Sequence, residues 1–245
     1  LATLKNISPA KSPLPRGPHA ISTDAVAGDQ RRRLLEALPQ AIAANGFEAT
    51  TVEDIVKLAQ VRRNSFYEQF ENKLDCFSAA YEIAQEKLLG VLTFQCYTRV
   101  GSAERIDAAL GAGLELLGGD PTLARLIVVE APAAGAGLAA RHHEWLDRYG
   151  RLLRLASLGD EDAAAPRLEI EPAVIGGIVS RIKQLVLAGE TLELPELRSE
   201  LLQFALSFYG SPRAPAVPEP VATRDDQDEP AQPQSPERST VLEPA

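Results

Sequence analysis

Arg62, Arg63, Asn64 and Ser65 are consecutive, and Tyr67 and Gln69 follow within the next turn of chain. Guanidinium, carboxamide and hydroxyl groups so close together are chemically suited to nucleic acid. Arginine can bond guanine bidentately and asparagine can do the same with adenine, while Ser65, Tyr67 and Gln69 suit phosphate oxygens. Thr51 and Lys73 flank the run: the first opens a helix whose terminal N–H groups can meet a phosphate, and the second brings a cation. Other chemistries find less support. His142-His143-Glu144 would suggest a metal, but adjacent helical residues diverge by about 100° and no further His stands in the folded body. Cys76 and Cys96 have no CxxC partner, which indicates neither a disulfide framework nor a zinc site. There is no GxSxG, P-loop or dinucleotide fingerprint, so neither an enzyme nor a cofactor is expected.

These donors need a rigid carrier, and the pattern around them predicts one. Period-2 alternation is absent and three-and-four spacing recurs, which makes the chain all-α. Leu34, Leu38, Ala41 and Ile42 share a face of a first helix from near Asp24 to Asn45, stopped by Gly46, with Pro39 removing one of its hydrogen bonds. Thr51, with Asp54 three residues on, caps a helix carrying Val52, Ile55, Val56 and Ala59. A second short helix starts about three residues later with Phe66 and Phe70 on one face, so the pair is a helix-turn-helix whose second member presents the donors. Asn72 caps a long helix through Leu74, Phe77, Tyr81, Ala84, Leu88 and Val91.

Residues 31–74 resemble the DNA-binding domain of the TetR family of bacterial transcriptional regulators. The resemblance lies in Arg31 to Leu35, Gly46-Phe47, Thr50-Thr51-Val52, Asp54-Ile55, Phe66-Tyr67-Glu68-Gln69-Phe70 and Asn72-Lys73. It implies that Thr51, Ser65, Tyr67, Gln69 and Lys73 grip phosphates and that Arg62, Arg63 and Asn64 meet base edges. It further implies a homodimer on a palindromic double-stranded operator, with a small-molecule effector held beyond the long helix. Gln60 stands where such sequences often have glycine, at a cost of about 1 kcal/mol if it is left-handed, and Arg62 lacks a capping oxygen. A helical ligand-binding or scaffolding dimer that no longer reads DNA is the alternative reading.

The rest of the chain is consistent with this plan. Charge is uneven: residues 1–73 hold 10 Lys+Arg against 8 Asp+Glu, whereas the whole chain has net charge −9, which points an anionic partner to the amino-terminal third. Ser102 opens a helix with Ile106, Leu110, Leu114 and Leu117, and Asp120-Pro121 opens another from Leu123 to Glu130. Leu138, His142, Trp145, Tyr149 and Leu152 form the next stripe, with Glu144–Arg148 and Asp147–Arg151 as surface ion pairs. Ser157 to Ile170 reads as a loop; helices then open at Glu171-Pro172 and after Leu194-Pro195. A small apolar effector is expected among Leu110, Leu114, Leu126, Leu138, His142 and Trp145. The helices 171–188 and 195–209 are expected to pair with their copies as a four-helix bundle centred on Ile178 and Phe204. The expected organisation is thus an arm (1–23), a three-helix DNA-binding domain (24–72), a helical effector and dimerisation domain (73–209) and a Pro-rich acidic tail (210–245). The longest charge-free run, Leu201 to Pro212, is too short to span a membrane, and Leu1 to Pro15 has no signal-like apolar core; a cytoplasmic location is expected.

Overall fold

The computed structural model describes residues 23–158 and 170–209, and among them no strand occurs. The arm before Thr23, the tail from Gly210 and most of the loop expected between Ser157 and Ile170 lie outside the described residues.

Helix α1 (Thr23–Ala49) runs through Pro39 and breaks its helical geometry at Gly46, whose φ of 77° and ψ of 163° suit only glycine. Leu34, Leu38, Ala41 and Ile42 are buried beneath it. The two short helices α2 (Val52–Ala59) and α3 (Arg63–Gln69) pack on that face through Ile55, Val56, Phe66 and Phe70. Asn72 then starts α4 (Lys73–Tyr97), its side chain accepting from Asp75 N at 3.0 Å. Twenty-five residues make α4 about 37 Å long, enough to pass from the first three helices into the centre of the remainder. Leu74, counted in its apolar stripe, faces solvent instead.

Helix α5 (Ser102–Gly119) lies along α4, and Asp120 caps α6 (Pro121–Arg125) by accepting from Leu123 N at 3.0 Å. The single helix expected from Leu123 to Glu130 is not continuous. Leu126–Glu130 widens into one turn of π-helix before α7 (Ala131–Ala133), a distortion that costs hydrogen-bond quality and is characteristic of working segments. Helices α8 (Ala136–Ser157), α9 (Glu171–Ala188) and α10 (Arg198–Tyr209) complete the body. Pro195 sits inside a 3-10 stretch, Thr191–Leu197, so the last α-helix begins at Arg198 rather than directly after the proline.

Polar ties between helices fix their relative positions. The Arg154 guanidinium holds buried Glu171 through two hydrogen bonds of 2.7 and 3.0 Å, joining α8 to the first turn of α9 and keeping that carboxyl below its usual range. Trp145 Nε1 donates to Glu82, joining α8 to α4, and Arg198 donates to Asp107, joining α10 to α5. The ion pairs expected within α8 do not form: Arg148 lies over the Trp145 ring at 4.1 Å instead of reaching Glu144, and Asp147 and Arg151 stay apart. Cys76 and Cys96 are buried free thiols, and burial pushes the Cys76 thiol up to about 12.

Candidate functional site

The helix-turn-helix is built from local signals. Thr51 accepts from Asp54 N at 3.3 Å while the Asp54 carboxylate accepts from Thr51 N at 2.9 Å, a complete capping box that lowers the Asp54 pKa. The Thr51 hydroxyl also donates to Asp54, so its oxygen serves the cap first. At the other end of α2, Gln60 N bonds Lys57 O and Val61 N bonds Val56 O, a Schellman closure with Gln60 left-handed at φ 53°. The strain foreseen for this residue is present. Arg62 precedes α3 with no side-chain cap, as its chemistry dictates.

Two arginines of α1 brace this unit. Arg33 donates to Gln60 O at 3.0 Å, and Arg31 donates to Gln69 O at 3.1 Å while lying 4.4 Å over the Phe70 ring. Their neighbour Arg32 pairs with Asp29 and Glu36 at the surface. The sequence signal was the run Arg31-Arg32-Arg33, whose first member reaches the end of α3 and whose third reaches the turn before it.

Arg62, which caps α3, and Arg63, Asn64 and Tyr67 within it are exposed, Tyr67 with 49 % of its surface free. Arg63 lies near Glu53 (3.8 Å) and over Tyr67 (5.7 Å), contacts weak enough to exchange for a ligand. Gln69 is half-buried. Ser65 departs from expectation: it is 8 % exposed and turned inward beside Phe66, which removes it from the outward set. Lys73 departs as well. Its ammonium donates to the carbonyls of Phe47 (2.6 Å), Thr50 (2.8 Å) and Glu48 (3.2 Å) and sits 4.3 Å from the Phe47 ring centre, so its three donors clasp the α1–α2 junction.

The same junction is held from the other side. Glu130, at the end of the π-turn and 7 % exposed, accepts from Phe47 N at 3.0 Å and from Arg125 Nε at 2.9 Å. Two and three residues earlier in that turn, Val128 and Ile127 line a cavity of about 120 Å³ whose other walls come from α4, α5, α8 and α9. The wall of the cavity and the anchor of the first three helices therefore belong to one π-turn.

The cavity walls are almost wholly aliphatic, with a polar end. Tyr149 donates to Gln85 Oε1, Gln85 Nε2 donates to the Tyr81 oxygen at 2.6 Å, and the Tyr81 hydroxyl is 3.0 Å from His142 Nδ1. With its oxygen receiving from Gln85, Tyr81 donates to His142, which places the imidazole proton on Nε2. Burial, aided by the charges of His143 and Lys183, lowers the His142 pKa to about 4 and keeps the ring neutral. Leu110, Leu114 and His142 line the cavity as expected. Leu126, Leu138 and Trp145 are buried elsewhere: Leu126 lies on the other arc of the π-turn, and Trp145 faces Glu82. Gln85 and the aliphatic face of α9 were missed because they enter from other helices, and Tyr149 was placed in the stripe of His142 without being assigned to the cavity. Ile178 also lines this cavity, and Phe204 packs over Gly177 of its own chain, so neither centres a free face.

Residues 34–80 match the model for bacterial regulatory proteins of the tetR family. No curated protein matches in sequence. Among solved structures, the fatty acid degradation regulator FadR of Bacillus halodurans is 20% identical, with a TM-score of 0.64 over 74% of this chain and 99% of that one. FadR of Bacillus subtilis in complex with stearoyl-CoA is 20% identical with a TM-score of 0.63, covering 72% of this chain and 97% of that one. SmeT, the repressor of the Stenotrophomonas maltophilia multidrug efflux pump SmeDEF, is 22% identical with a TM-score of 0.57, covering 79% and 99%. At these identities the likeness speaks for the fold.

Proposed function

We propose that this chain, which belongs to the tetR family of bacterial regulatory proteins, is a repressor that leaves its operator when an apolar effector enters the α4–α5–α8–α9 cavity. That it is a DNA-binding transcriptional regulator follows from its family; repression, release and the identity of the contacts are our reading. One observation carries it: Arg62, Arg63 and Asn64 stand exposed at the start of an α3 whose end is held by Arg31 and whose preceding turn is held by Arg33, so base-reading groups are carried on a braced helix. Tyr67 supports the phosphate side, whereas Lys73 acts by holding the α1–α2 junction.

Two copies are needed to reach successive major grooves about 34–36 Å apart, which makes the operator palindromic. With Ile178 and Phe204 used within the protomer, the face we assign to the partner copy is the outer one. It comprises Ala173, Ser180, Gln184 and Leu187 of α9 with Gln203, Ser207 and Phe208 of α10. FadR of Bacillus subtilis was solved with stearoyl-CoA, and SmeT represses an efflux pump; both facts favour an apolar effector here.

Release works through the π-turn. At about 120 Å³ the cavity is of the order that admits a benzene-sized group, and in this reading a larger effector is accommodated when a wall yields. The weakest wall is the π-turn, and movement of Ile127 and Val128 pulls on Glu130 and thereby on Phe47 N. The effector shifts the population of dimers away from the groove spacing in proportion to its preference for the displaced state.

Duplex binding across a salt series tests the regulator reading. Affinity falling linearly with log salt is expected, with Asn64→Ala changing which base pairs are preferred and Tyr67→Phe weakening all sequences alike. Absence of any salt-dependent binding to a genomic duplex library would leave the scaffolding dimer as the better description.

A further inference from the structure

The polar end of the cavity has a direction. Each group in the row from Tyr149 through Gln85 and Tyr81 to His142 donates to the next, and the row ends at an N–H with no partner among the described residues. His142 lines the cavity while its Nδ1 is taken by Tyr81, so Nε2 is the ring nitrogen left for a ligand. His142 as a whole is 7 % exposed. A buried, oriented donor against otherwise aliphatic walls is a group that reads one acceptor on an apolar body.

Charge narrows the acceptor. Among the described residues no aspartate or glutamate lines the cavity, and Lys183, beside the lining residue Ile182, is close enough to act on His142. An anionic or strongly polarised oxygen is favoured there and an ammonium group is disfavoured.

We infer that His142 Nε2 donates to the acyl oxygen of a medium-chain or ring-bearing carboxylic acid, or of its thioester, whose hydrocarbon part fills the cavity toward Cys96. The inference rests on the cavity being the effector site and goes further in naming the head group. The distance from Gln85 to Cys96 along α4 is eleven residues, about 16 Å, so a medium-length chain can lie along it once Ile127 and Val128 yield.

Calorimetric titration of the full chain with octanoate, octanoyl-CoA, octylamine and toluene tests it. Octanoate or octanoyl-CoA binds and octylamine does not; which acyl probe binds tighter tells the free acid from the thioester. His142→Asn keeps an acceptor for Tyr81 but removes the Nε2 donor, and weakens the acyl probe by about tenfold or more. His142→Gln restores a donor at the Nε2 position and recovers most of that loss. Leu110→Trp fills the cavity and abolishes binding of the acyl probes and of toluene alike. If octylamine binds as tightly as octanoate, or His142→Asn leaves octanoate unchanged while Leu110→Trp removes it, the head-group assignment is wrong and the cavity stands. Toluene binding alone, in a Leu110→Trp-sensitive way, also overturns the head group and keeps the cavity. If no probe binds, or Leu110→Trp has no effect on any probe, the cavity reading itself fails.

Discussion

Replacing Glu130 by alanine removes the side chain that joins the π-turn to the backbone of the α1–α2 junction, and its consequences can be worked out from the contacts it makes. Two hydrogen bonds are lost, from buried Phe47 N at 3.0 Å and from Arg125 Nε at 2.9 Å. Arg125 is about one-third exposed and rehydrates, so its share is small. Phe47 N is left as a buried donor to a carboxylate that has gone, at a cost of about 2 kcal/mol. For a body of this size that lowers Tm by roughly 4–8 °C. The same loss appears locally as about thirtyfold faster hydrogen exchange at the Phe47 amide, with the core of α9 unaffected. Glu130→Gln keeps an acceptor oxygen and loses only its charge, so it falls between alanine and the parent. The coupling of effector to operator, typically about 1–3 kcal/mol, collapses in the alanine variant because cavity expansion no longer pulls on the first three helices. Thermal denaturation, amide exchange and operator titration with and without effector measure all three. A Glu130→Ala protein with an unchanged Phe47 exchange rate and a full effector response would refute the π-turn as the link.

Other outcomes follow from single contacts. Gln60→Gly relieves the left-handed φ of 53° in the Schellman closure and raises stability by about 1 kcal/mol, visible as a higher Tm with operator specificity retained. Lys73→Ala frees three carbonyls at the α1–α2 junction and lowers Tm, while the slope of log affinity against log salt stays within experimental error; a slope reduced by about 1 would restore Lys73 to the phosphate contacts. His142 is neutral in the fold down to about pH 4, whereas the unfolded chain protonates it near 6.5. The unfolded state therefore binds more protons in that window, and the stability from this residue is full above pH 6.5 and is lost as pH falls from there to about 4. Denaturant unfolding of the parent and of His142→Asn across this range checks the sign: the variant has the shallower decline.

Much of the DNA-binding unit could be read from sequence because its signals are local. Thr51 with Asp54, Asn72 with Asp75, and Gly46 each act within one turn of chain, where backbone geometry leaves few alternatives, and the structure has a cap or a break at each. The exposed Arg62-Arg63-Asn64 turn followed from the same logic. Where a side chain points across the fold was a different matter. Ser65 shares its short helix with the outward residues, yet with Phe66 it lies on the side of α3 that packs into the fold. Lys73 looked like a surface cation until the junction brought three carbonyls around it.

The cavity divides in the same way. An apolar stripe showed that Leu114, Leu138, His142 and Trp145 are buried, because periodicity reports burial. It could not show what they are buried against: Trp145 meets Glu82 of α4, His142 meets Tyr81 of α4, and Ile178 closes a cavity instead of a dimer seam. The π-turn had no sequence signal at all, for Leu126 to Glu130 has the composition of an ordinary helix. Its shape and its role depend on Glu130 reaching a backbone amide 83 residues away. Helices, caps and the charge on α3 were set by neighbours within a few residues, so the sequence alone determined them. The partners of buried side chains depend on how rigid helices cross, and only the tertiary structure decided those.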